Sequence, residues 1–124
     1  MTLFGTLPTS TVRVSTAGRY EIIFSIQFDK SGGGTDFVDA WVRINGNDLA
    51  RSASQIVVDG TQGETVLTVP IMVDLNANDD IEIVFASPDA TMAVTAFPAE
   101  TAPPDPYTRP AIPSIILNVK SMVV

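Results

Sequence analysis

Asp74-Leu75-Asn76-Ala77-Asn78-Asp79-Asp80-Ile81-Glu82-Ile83-Val84-Phe85 is the stretch that decides the fold class of this chain. Its centre is rich in Asn and Asp, whose side chains hydrogen-bond nearby backbone and tolerate left-handed torsions, so it is a tight turn. On either side apolar residues recur at every second position. Leu67, Val69, Ile71, Val73 and Leu75 precede the turn, and Ile81, Ile83 and Phe85 follow it. That period is the one of half-buried strands, and it predicts a hairpin. Working outward, Tyr20, Ile22, Phe24, Ile26 and Phe28 share one face of a strand over 20–28, with Glu21, Ser25 and Gln27 on the other. Ile23 alone breaks that alternation. Shorter strands are expected at 11–15, 37–45, 49–58, 92–96 and 114–124. Asn45-Gly46-Asn47 is a strong turn signal between two of them. Eight to ten antiparallel strands in 124 residues, with no amphipathic helix, predict an all-β sandwich.

Composition narrows the chemistry. A chain of 124 residues fits one domain and buries roughly two-thirds of its unfolded surface, enough for a core without staples. There is no cysteine and no histidine. The first absence leaves no disulfide framework, and the second removes the commonest general base and metal ligand. A net charge of −7 argues against nucleic acid, which requires a basic footprint. No apolar run approaches the ~20 residues that span a bilayer. The first eight residues lack the basic flank of a signal peptide, so synthesis in a cytoplasm without export is expected.

Several constellations bear on function. Phe37, Trp41 and Arg43 alternate with Val38, Ala40, Val42 and Ile44. If the second set fills the core, the first projects outward, and aromatics beside Arg are typical of interface centres. The other outward faces read as mostly polar or small, which makes this the expected interface. Asp74, Asn76 and Asn78, with Asp79 and Asp80, could offer oxygens to Ca²⁺. No glycine holds the sixth position of such a loop, and Phe85 stands where its bidentate Glu belongs, so a plain turn is favoured. Asp36/Asp39 and Asp80/Glu82 read as solvated surface carboxylates. Ser and Thr hydroxyls have no histidine to activate them, and a Lys30 or Lys120 base has no supporting motif. Gly32-Gly33-Gly34 lacks the Lys-Ser/Thr of a phosphate loop and reads as a mobile tip. No catalytic residue, metal or cofactor is expected, and the chain does not read as an enzyme. Residues 97–113 carry six of nine prolines and are expected as an irregular loop exposing Tyr107 and Arg109.

Four motifs in order resemble the C1q/TNF-like jelly roll. They are Ala17-Gly18-Arg19-Tyr20-Glu21-Ile22, Trp41-Val42-Arg43-Ile44-Asn45-Gly46-Asn47, the stretch from Leu75 to Ile83, and the terminal strand beginning at Ser114. The family's Gly-Asp before the strand at 81–85 is replaced here by Asn78-Asp79-Asp80. The resemblance covers about 11–119 and implies a compact trimer. Domains of this kind resemble structural proteins of tailed phages and other viruses, as capsid decoration or fibre-tip modules. The expectation is a homotrimeric decoration or cement protein on the capsid exterior, bound to the major capsid protein. The chain offers neither the stalk nor the tail-attachment segment of a fibre tip, which favours decoration. In that picture residues 1–10, with Leu3, Phe4 and Leu7, form an anchoring arm ahead of a jelly roll at 11–124, and Phe37, Trp41 and Arg43 build the trimer. A receptor- or glycan-binding head of a fibre, and a cellular C1q-like binding module, are the alternatives.

Overall fold

Thirteen residues from Gly18 to Lys30 form one continuous strand, with inward and outward positions alternating from Tyr20 onward, and this strand is the spine of the molecule. In the computed structural model, which describes residues 2–6 as backbone and 11–60, 64–102 and 106–122 in full, ten strands form two antiparallel sheets. They are β1 (Thr2–Thr6), β2 (Val12–Arg13), β3 (Gly18–Lys30), β4 (Thr35–Ile44), β5 (Asn47–Asp48), β6 (Ser54–Asp59), β7 (Glu64–Leu75), β8 (Asp80–Ser87), β9 (Met92–Val94) and β10 (Ile115–Ser121). One sheet is ordered β1-β8-β4-β5, with β2 also on β8 and β6 also on β4. The other is ordered β10-β3-β7, with β9 also on β3. No helix occurs among the described residues. The protein is an all-β sandwich.

The core lies between the sheets, as the period-two pattern requires. Ile22, Phe24, Ile26 and Phe28 of β3 meet Val38, Ala40 and Val42 of β4 and Ile81, Ile83 and Phe85 of β8. Phe28 and Phe85 cross edge to face, ring centroids 5.8 Å apart at 65°. Tyr20 closes one end, its hydroxyl donating to the Thr16 carbonyl at 2.6 Å.

The routing between strands departs from the sequence reading at its starting point. The strands on either side of 76–79 do not form a hairpin. β7 pairs with β3, and β8 pairs with β4, so the turn is an arch from one sheet to the other. The contacts of the turn explain why. Asn78 N–H donates to the Val14 carbonyl at 2.7 Å, and Val14 N–H to the Asp79 carbonyl at 3.1 Å. Asn45 donates its amide to Asp79 Oδ1 at 2.8 Å and accepts from Asp80 N–H at 2.9 Å. These bonds draw the turn onto the six-stranded sheet and away from its own incoming strand. The Asn45-Gly46 turn does make a hairpin, β4 with β5, and φ of 53° and 82° are those of the type I′ geometry.

Two other expectations are revised. Residues 2–6, expected as part of an anchoring arm ahead of the domain, run antiparallel to β8 with Leu3 opposite Ala86 and Thr6 opposite Val84. An unpaired β8 edge is a row of open backbone donors and acceptors, and β1 satisfies part of it. The glycine tip after β3 is tied down rather than loose. Lys30 is 0% exposed, and its ammonium donates to the carbonyls of Gly33, at 3.0 Å, and Gly34. Asp36 and Asp89 lie 3.4 and 3.7 Å from the same nitrogen. Gly32 N–H reaches the Thr91 hydroxyl at 2.9 Å, and Thr91 is in turn held by Asp89. A buried cation needs such partners, and the loop is folded around it to supply them.

β7 is an edge strand of its sheet, which is why it tolerates Pro70 at its middle.

Candidate functional site

Two outer faces and one groove hold what the chain can use for binding. β4 places Phe37, Asp39, Trp41 and Arg43 on the outer face of the six-stranded sheet, opposite the buried Val38, Ala40 and Val42. Trp41 and Arg43 converge on one carboxylate. The indole N–H donates to Asp48 Oδ1 at 2.8 Å, and Arg43 Nε to the same oxygen at 2.7 Å. Val57, 56% exposed, stands beside Phe37 across the β4–β6 pairing. This face therefore has an apolar centre, but the indole and the guanidinium are already engaged within the chain.

The second face was not singled out in the sequence. On the outer side of the four-stranded sheet, β7 presents Val66, Pro70 and Met72, β3 presents Ile23, and β10 presents Ile116. Val66, Met72 and Ile116 are 52%, 57% and 49% exposed. The register brings Pro70 directly beside Ile23, and Ile116 beside Ser25. The expectation that outward faces other than that of β4 are polar or small does not hold here. A signal was available, because each of these residues is an apolar side chain out of phase with its strand's inward set.

The third feature is built from 97–112. Two isolated antiparallel bridges, Phe97 with Ile112 and Glu100 with Arg109, turn the proline-rich segment into a short ladder. Each bridge makes both backbone hydrogen bonds, at 2.9–3.1 Å. Arg109, expected as an exposed contact, is instead a brace. Its guanidinium donates to the carbonyls of Pro98 and Pro110, both at 3.0 Å, and to Glu100 Oε1 at 3.2 Å, and its side chain is only 21% exposed. Tyr107 is exposed as expected, at 58%. Between this ladder and the ends of β3 and β7 lies a groove of about 330 Å³.

The remaining sequence candidates fall elsewhere. Asp74 pairs with Arg19 at 2.9 and 3.3 Å, and Asp79 accepts from Asn76 N–H at 2.8 Å. Asp80 pairs with Arg13 at 2.8 and 3.1 Å. The carboxylates of this turn thus serve the turn and its neighbours. Among the described residues no group of three acidic side chains forms a metal-holding cluster. Leu7 lies outside the described residues, as does the centre of the proline-rich loop at 103–105.

The ion pairs fix the expected pH response. The Arg19 guanidinium holds the Asp74 carboxyl below its ordinary 3.8, and hydrogen bonds from Arg43 and Trp41 do the same for Asp48. Arg13 lowers Asp80, and hydrogen bonds from Thr91 lower Asp89. A carboxyl depressed in the folded state stabilises above its unfolded pKa and loses that contribution as pH falls through the folded value. With no histidine, the melting temperature should be flat from about pH 5.5 to 8 and fall below about pH 4. Thermal melts across that range check it. A change of many degrees on the neutral side would contradict the assignment.

No protein-family model matches the chain, and no curated protein is similar enough to mark a relative.

Proposed function

We propose that this chain is a virion structural protein, a homotrimer of C1q/TNF-like jelly-roll domains that decorates the capsid exterior and binds the major capsid protein. The division of strands supports the jelly-roll reading. β8, β4 and β6 share one layer and β10, β3 and β7 the other, and the chain passes between layers at β2–β3, β3–β4, β6–β7, β7–β8 and β8–β9. Such repeated crossings are what a double-sheet Greek-key topology needs.

The observation that carries the trimer is the stripe of Ile23, Val66, Pro70, Met72 and Ile116. Ile23 and Pro70 are direct neighbours at its centre, with Thr68, Ser25 and Gln27 set among the outer members. Exposed apolar side chains gathered on one sheet face mark an interaction site. We place the threefold seam there in preference to the Phe37/Trp41/Arg43 face, where Asp48 already satisfies the indole and the guanidinium. A specific contact of this kind buries on the order of 1,200 Å² or more between each pair of subunits.

Light scattering tests the assembly. The wild-type protein should have a mass near three times 13.2 kDa. Met72→Asp puts a charge into the seam at a side chain already in water, and should give a folded monomer. A trimer that survives Met72→Asp but is lost in Val57→Asp would move the seam to the β4 face. A wild-type monomer removes the trimer altogether. The virion role is tested separately, by immunogold labelling of virus particles from the source of the sequence. Particles that carry no label would sink it. Truncation of 1–10 is a poor probe, because it strips part of the β8 edge as well as any anchor.

A further inference from the structure

We infer that Asn45 is a site of spontaneous covalent modification, deamidation through a succinimide formed with Gly46, and that the arch at 76–79 gates it. Asn45 and Gly46 are both exposed, in the tight turn between β4 and β5. Gly46 has no side chain to shield its backbone nitrogen, and its N–H makes no hydrogen bond among the described residues. Asparagine is among the thermolabile residues. Asn47, Asn76, Asn78 and Asn118 are followed by Asp, Ala, Asp and Val, so Asn45 alone has an unhindered neighbour.

The chemistry needs no reactant beyond water. The Gly46 nitrogen gives up its proton and attacks Asn45 Cγ, held close to it by the chain itself. A C–N bond closes a five-membered imide, the Cγ–Nδ2 bond breaks, and the amide nitrogen leaves with the proton as ammonia. Water then adds to one of the two imide carbonyls and opens the ring. One opening leaves aspartate. The other leaves isoaspartate, whose main chain runs through Cγ and is one carbon longer.

The fold both restrains this reaction and suffers from it. Asn45 Nδ2 donates to Asp79 Oδ1 at 2.8 Å, and Asn45 Oδ1 accepts from Asp80 N–H at 2.9 Å. Ring closure must rotate the amide out of both bonds, so it proceeds from states in which the arch has opened locally. After reaction the aspartate can still accept from Asp80 N–H, but the donor to Asp79 is gone. A second carboxylate then faces Asp79 across that contact, and like charges repel. The Arg13 guanidinium is already committed to Asp80. Isoaspartate further lengthens the turn that sets β5 against β4. These are the bonds that draw the arch onto the six-stranded sheet, so a junction between the layers is worn away irreversibly. The inference does not rest on the number of subunits.

The test is timed incubation of the full chain at pH 8.5 and 37 °C, folded and in 8 M urea, followed by mass spectrometry of the tryptic peptide 44–51. In both samples Asn45 should be the first asparagine to gain one dalton. The folded sample should react about ten- to a hundredfold more slowly, because hydrogen bonds must open first. Asp79→Ala should remove most of that protection. Asn45→Asp, which supplies the unrearranged product directly, should melt about 5 °C below wild type. The ratio of folded to unfolded rates needs no variant, so it stands as a test even where Asp79→Ala fails to fold. Equal rates in the two samples would refute the gate, as would an Asp79→Ala variant that folds and reacts no faster than wild type. A folded sample still unmodified after several hundred unfolded half-lives would refute the site. An Asn45→Asp variant melting within about one degree of wild type would refute the structural consequence.

Discussion

Lys30→Met should destabilise the fold by about 3 kcal/mol, because removing one member of a buried charge cluster strands the others. The side chain is 0% exposed and its ammonium holds two carbonyls and two carboxylates. Methionine keeps most of the volume, so the loss reports on charge rather than on a cavity. In a 124-residue domain that corresponds to a drop of roughly 10–15 °C in melting temperature. Asp36 and Asp89 then face each other without a cation, and the Gly33 and Gly34 carbonyls lose their donor. The triple variant Lys30→Met, Asp36→Asn, Asp89→Asn should recover part of the loss, since an asparagine in place of Asp89 can still accept from Thr91. Hydrogen exchange at 31–34 should quicken in the single variant. A melting temperature within about two or three degrees of wild type would show that the carboxylates are solvated well enough to need no partner.

Phe28→Ala should cost about 3–5 kcal/mol, the range for emptying a fully buried aromatic site. Phe28 is 0% exposed and lies where three strands meet, opposite Thr65 of β7 and Val94 of β9. Its edge-to-face contact with Phe85 ties the two sheets together and is lost as well. Phe28→Leu, which keeps an apolar side chain in the site, should lose much less. Urea denaturation separates the two, with the midpoint falling and the slope held. A loss below about 1 kcal/mol in the alanine variant would mean that the two sheets close over the gap.

The alternation at 20–28 and 67–75 was enough to read two strands, their inward faces and the sandwich between them. The partner of each strand was not legible. Asn and Asp bend a chain equally well into a hairpin or an arch, and what chose the arch was Asn45, Val14 and their bonds to 78–80, far away in sequence. The face of Phe37, Trp41 and Arg43 was read correctly as outward, but the apolar stripe on the other sheet was not seen. Ile23, Val66, Met72 and Ile116 each looked like an isolated exception to its own strand's pattern. Only the register of β3 with β7 and β10 gathers them onto one face. Lys30 was illegible for a related reason, since its burial depends on Asp89, which no local pattern connects to it. The ladder in 97–112 escaped because isolated bridges leave no periodicity, and prolines between them mask the pairing.

Pro70 gives the protein a preference in how it meets its own kind. A twelve-residue strand at the border of a sheet would otherwise be a template on which another molecule could crystallise strand by strand. With a ring in place of one amide hydrogen, that border cannot be extended in register, and growth into fibrils is poisoned at its longest exposed rim. Open-ended stacking through this border is thereby disfavoured, whatever contacts the faces of the sheets make.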